Sequence, residues 1–152
     1  MIDAAVLIES KKWKKIIRQP KKVVSNVIKK FPKKYKFIGK KAHISILLTN
    51  NKKIKLLNKK FRKKNKPTDI LSFPFFDEKI LKKNLKNKKI YLGDIAISCE
   101  EFSKRYKKNY LESFIKMFIH GFLHLLSFDH KLEKDYKKMN YVENQIYQNV
   151  KG

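Results

Sequence analysis

Apolar and polar positions alternate most cleanly over residues 42–49, where Ala42, Ile44, Ile46 and Leu48 fall on one side and His43, Ser45, Leu47 and Thr49 on the other, predicting a β-strand. Residues 2–8 predict an earlier strand with less regular alternation, and residues 91–98 a later one with Gly93 and Asp94 inside it. The run 70–76 is strongly apolar, and Pro74, which has no N–H to donate, confines that strand to an edge or a bulge. Helical spacing takes over elsewhere. Over residues 11–30 Trp13, Ile16 and Ile17 and then Val23, Val24, Val27 and Ile28 recur at intervals of three and four, with Pro20 either separating two short helices or opening the second part of one. Asn50 or Asn51 can cap a helix carrying Ile54, Leu57 and Phe61. A helix over about residues 100–106 leads into a far more apolar one, and residues 132–150 carry Leu132, Tyr136, Met139, Val142, Ile146 and Val150 as a stripe that closes the core. Residues 31–41 and 66–69 predict a loop and a turn; residues 77–89, lysine-rich and of low complexity, predict a loop and the best candidate for disorder. The expectation is one α/β (α+β) domain over residues 1–152, a small mixed four-stranded sheet packed by helices around a buried central helix.

That central helix carries the chemistry. Ten of the sixteen residues 111–126 are apolar and occupy nearly every side of the helical wheel, the mark of a helix packed on several faces. His120 and His124 stand one turn apart, ~6 Å along the axis, so both imidazoles can reach one cation. Two core histidines bonded to backbone or carboxylates would explain such a pair equally well. His130 shifts the balance: three of the four histidines fall at offsets 0, 4 and 10, and the chain can end its helix near Ser127 and turn the third ring back to the pair. Three imidazoles plus a water is the open set of a catalytic zinc. The spacing is that of the metzincin proteases, but the glutamate that serves as their base is replaced by Gly121, which disfavours peptide hydrolysis. His43, outside the cluster, is expected to be a strand-surface residue.

Composition bounds the rest. A hydrophobic fraction of 42% is enough for a single core, and the one cysteine, Cys99, excludes an internal disulfide and is expected to be a small buried residue at a strand end. No basic start precedes an apolar run near the N-terminus and no stretch has the length of a membrane span, so a cytoplasmic protein is expected. The net charge of +26 suits a polyanion, yet only Arg18, Arg62 and Arg105 are arginines, and lysine in place of arginine with abundant Asn, Ile and Phe is what an AT-rich genome writes at permissive positions. Charge therefore supports RNA only weakly.

Three ordered motifs, Asn58 to Pro74, Leu92 to Ser98 and His120 to His130, are spread over about half the chain and together resemble the YbeY family of metal-dependent endoribonucleases. The segment His120 to His130 is similar to H-G-x-L-H-L-x-G-Y-D-H except at Ser127 and Phe128. Asn58, Phe61, Arg62, Asn65, Pro67, Thr68, Asp69, Ile70, Leu71, Ser72, Phe73 and Pro74 resemble N-x-x-Y-R-x-x-D-x-P-T-D-V-L-S-F-P, and Leu92 to Ser98 matches L-G-D-I-x-I-S. The resemblance implies that His120, His124 and His130 hold one zinc ion, that Arg62 and His124 are the catalytic candidates, and that the substrate is single-stranded ribosomal RNA. It also implies a place in maturation of the 3′ end of small-subunit ribosomal RNA and in ribosome quality control, with the ribosome or a subunit as partner. A planar guanidinium gives Arg62 a bidentate match to phosphate that lysine lacks. A zinc-bound water is the expected nucleophile or general base. Asp129 can either orient a histidine through its second ring nitrogen or cap the turn, while Asp69 and Asp94 are expected to be structural. Ser127 stands where the motif has glycine, at a cost of about 1 kcal/mol if its φ is positive. No RNP-type aromatic pattern argues for base stacking. The competing readings are a weakly catalytic or non-catalytic RNA-binding ribosome-assembly factor and a metzincin-like peptidase.

Overall fold

The computed structural model describes residues Met1–Gly152. Strand β1 (Ile2–Ile8) leads through helices α1 (Trp13–Ile16) and α2 (Pro20–Lys29) and a 3-10 turn (Lys33–Tyr35) to β2 (Lys41–Thr49). Helix α3 (Asn51–Arg62), β3 (Ile70–Pro74), α4 (Glu78–Asn84) and β4 (Lys89–Ser98) follow, and the chain closes with α5 (Cys99–Arg105), α6 (Tyr110–Leu125) and α7 (Glu133–Lys151). The four strands form one mixed sheet in the order β1-β2-β4-β3, with β1, β2 and β4 parallel and β3 antiparallel on the edge.

Local chemistry accounts for most boundaries. Pro20 occupies the first turn of α2, where its missing N–H is not needed, so the 11–30 segment is two helices with Pro20 opening the second. Of the two candidate caps for α3 it is Asn50 that acts, accepting from the Lys53 N–H at 3.0 Å. Pro74 ends the edge strand opposite Gly93. There the backbone leaves no room for a side chain: a Cβ on Gly93, whose φ is +136°, would lie 2.2 Å from the Phe73 carbonyl oxygen.

One expectation is corrected. Residues 77–89 are not a plain loop, because Asp77 accepts from the Ile80 N–H at 2.9 Å and opens α4, which buries Leu81. A single capped turn with one apolar anchor is enough, and the lysines around it conceal both.

On one face of the sheet Ala42, Ile44, Ile46 and Leu48 share one core with the aromatic side chains of α6, and that core extends through Trp13, Phe31 and Phe102. The Trp13 indole N–H donates to the Thr49 carbonyl at 2.9 Å, which ties α1 to the end of β2. Cys99 is buried, and the Cys99 thiol is pushed up by that burial. Asp69 takes the structural role: it accepts from the Ile70 N–H at 2.8 Å and pairs with Arg105, joining α5 to the start of β3. The other face of the sheet is covered only in part, by α3 over Ile54, Leu71 and Ala96. No helix is long and apolar enough to cross a membrane.

Candidate metal centre

Helix α6 is held by Phe114, Phe118 and Phe122, all buried, with Phe118 and Phe122 packed on Phe31. This fixes the helix rotation and leaves His120 and His124 on a half-open side. Beyond Leu125 the chain turns in a Schellman arrangement: the Ser127 N–H donates to the His124 carbonyl and the Phe128 N–H to the Leu123 carbonyl, each at 3.0 Å. Ser127 holds the left-handed position of that turn at φ 72°. The turn then returns His130 to the helix. The three ring centroids lie 4.7 Å (His120–His124), 5.5 Å (His120–His130) and 5.0 Å (His124–His130) apart, and one ligand atom from each falls within 4.8 Å of the others.

Hydrogen bonds set the tautomers of the helix pair. His124 Nδ1 is 2.9 Å from the Phe128 carbonyl oxygen, which can only accept, so Nδ1 carries the proton and Nε2 keeps its lone pair. His120 Nδ1 is 2.5 Å from Glu143 Oε1 on α7, a carboxylate that accepts from Nδ1, so the neutral ring has its lone pair at Nε2. The two Nε2 atoms then face each other at 3.1 Å. Two lone pairs aimed at one point repel unless something positive lies between them, and a divalent cation shared with His130 meets that demand. Burial, then the neighbouring His120, pushes the His124 imidazole below its ordinary value, which keeps it in the neutral form a metal requires. The donor set fits a zinc-type ion.

The remaining site candidates fall in different places. Asp129 accepts from the His130 backbone N–H at 2.7 Å, a bond that holds its carboxyl below the usual range; the contact it makes is the turn-capping one, and no histidine ring is its partner. Arg62 closes α3 with its side chain exposed, and no hydrogen bond or ion pair joins it to the histidines. His43 lies on the partly covered sheet face, 3.4 Å from Asp3. The residue that sequence reasoning missed is Glu143. Its signal was an acid within the apolar stripe of α7, four residues after Met139 and three before Ile146, where a buried neighbour is expected.

Strand β3 walls the helix that carries the pair. Ser72 Oγ donates to the Gly121 carbonyl at 3.2 Å, and a Cβ on Gly121 would meet Ile70 Cδ1 at 3.0 Å and Ile95 Cγ2 at 3.2 Å. The position that would carry a protease glutamate is thus pressed against the sheet.

A family model described as Endoribonuclease YbeY matches residues 7–151. The chain belongs to the YbeY family. Among its relatives is an Endoribonuclease YbeY from Pelagibacter ubique, 51% identical over 99% of this chain and 97% of that protein. Another, from Ehrlichia canis, is 38% identical over 90% of this chain and 85% of its own length. A solution structure of a Thermotoga maritima protein covers 99% of the chain and 89% of its own, with 26% identity and a TM-score of 0.57. The mixed sheet and helix layer described above therefore have a counterpart in a solved structure, and the motif resemblance extends to nearly the whole YbeY chain.

Proposed function

We propose that this protein is a zinc-dependent endoribonuclease of the cytoplasm that cleaves single-stranded RNA in ribosomal RNA maturation and ribosome quality control, with residues 1–152 as its single domain. The observation that carries the reading is the convergence of His120 Nε2 and His124 Nε2 at 3.1 Å beside the His130 ring. The names of the YbeY relatives support RNA as substrate. His120, His124 and His130 would hold the ion, which when bound supplies Lewis acidity to a water and to a phosphoryl oxygen. Each side chain then has a task. The Phe128 carbonyl and Glu143 keep the Nδ1 protons of His124 and His120 in place, so both Nε2 atoms stay available. Arg62, free of any carboxylate partner, is the candidate second cation for phosphate charge.

The reading as a non-catalytic assembly factor draws on one observation, that Arg62 makes no contact with the histidines. Metal content, together with cleavage of single-stranded RNA with and without chelator, separates the two. About one zinc per chain in wild type, lost in His124→Ala together with cleavage, supports the nuclease. Arg62→Lys should lower cleavage and leave zinc content unchanged; unaltered cleavage removes Arg62 from the mechanism. Metal-free wild type after zinc is supplied, still binding RNA, favours the assembly factor.

A further inference from the structure

The sheet face away from α6 carries a row of aromatic rings. Ser72 points to α6, so alternation turns Phe73 to the opposite face, where its partner on β4 is the exposed Asp94. Phe61, from the last turn of α3, lies with its centroid 5.1 Å from that of Phe73. Two residues further along the strand direction, Phe75 lies 5.4 Å from Tyr91. Phe61 is 58% exposed and Phe75 62%. These are not loose side chains: Phe76, packed against the core, meets Phe75 edge-on at 4.8 Å, and the Tyr91 hydroxyl is 3.2 Å from Ser45 Oγ. Ordered phenyl faces left open to water are unusual in a monomeric protein and mark a contact surface.

Charge says what covers them. Six of the eight residues 59–66 are Lys or Arg, and no Asp or Glu occurs between Glu9 and Asp69. None of those six cations has a carboxylate partner, and the Lys60 ammonium stands 5.3 Å from the Phe61 centroid. The carboxylate beside the row, Asp94, is engaged by the Tyr91 hydroxyl. Open ring faces beside unpaired cations match a ligand that alternates flat π-systems with negative charge, which is single-stranded RNA; a duplex hides its base faces. An apolar protein partner would leave the cations unused.

We propose that Phe61, Phe73, Phe75 and Tyr91 form a base-stacking platform for single-stranded RNA, with the 59–66 segment holding the phosphates. This deepens the ribonuclease reading and rests on it. Edge strand β3 serves both parts, touching the metal helix through Ser72 and building the platform through Phe73.

The test measures binding of a fluorescein-labelled oligoadenylate of ~12 nucleotides by anisotropy, in chelator so that nothing is cleaved, over a range of salt. The variant is Phe61→Ala with Phe75→Ala, both exposed, with thermal unfolding as the folding control. The expected result is affinity lower by about tenfold or more with an unchanged salt slope, because the cations remain. A labelled RNA duplex should bind the variant and wild type alike. Equal oligoadenylate affinity in variant and wild type overturns the platform while leaving the ribonuclease reading intact. An equal loss for the duplex also overturns it, since the rings would not be acting on base faces. Wild type that fails to bind the oligonucleotide overturns both. Loss of self-association in the variant with RNA affinity unchanged assigns the face to protein contact instead.

Discussion

Two backbone and side-chain acceptors, the Phe128 carbonyl and the Glu143 carboxylate, decide where the protons of the histidine pair reside. Glu143→Gln keeps the shape but removes the charge that fixes Nδ1–H on His120. Zinc affinity should fall ~10- to 100-fold in a chelator competition, with the far-ultraviolet spectrum unchanged. Asp129, the acid that stands nearest the third histidine in sequence, should matter little in the same assay, since it bonds to backbone. Adjacency in the chain favoured Asp129 over Glu143, but adjacency does not say which way a carboxylate points. Ser127 makes the opposite case, because the glycine position it fills raised the question of a positive φ, and the structure places it there. At φ 72° it bears the strain of a left-handed residue with a side chain, and Ser127→Gly should raise stability by about 1 kcal/mol, read as a higher urea midpoint at constant slope.

Among the elements, α6 meets β3 where Gly121 sits. Adding one methyl there brings Cβ within 3.0 Å of Ile70 Cδ1 and 3.2 Å of Ser72 Oγ. Both are side-chain ends that can give way in part, so Gly121→Ala should cost about 1 to 3 kcal/mol without unfolding the protein, measured by denaturant titration. A glutamate at this position would have to part the helix from the strand. The missing protease base is therefore a packing requirement, a point the residue pattern could raise but not explain. Elements with long periodic runs were legible in advance, β2 by its alternation and α6 and α7 by their stripes, because periodicity belongs to the element itself. The helix α4 was not. Seven residues with one buried side chain carry too few repeats for a period to show among lysines.

For the whole molecule, the three histidines proposed to hold metal come from α6 and the turn after it, and Glu143 brings in α7, so metal should stabilise the fold as well as the site. Zinc at ~100 times its dissociation constant adds about 2.7 kcal/mol, which should raise the unfolding temperature of the metal-stripped protein by about 5 to 10 °C, and His124→Ala should abolish the shift. The charge of +26 gives the molecule a field that draws any polyanion, so its distribution matters more than its size. By itself the sequence determined the helices and strands with a sustained period and the histidine triad with its turn, because each of these relations spans a few residues and follows from local geometry. Tertiary structure alone decided that Glu143 holds His120, that Gly121 is a point of contact rather than a vacant catalytic position, and that Phe61 pairs with Phe73 and Phe75 with Tyr91. Those relations depend on the order of strands in the sheet and on how helices cross it, which arise only when distant apolar surfaces leave water together.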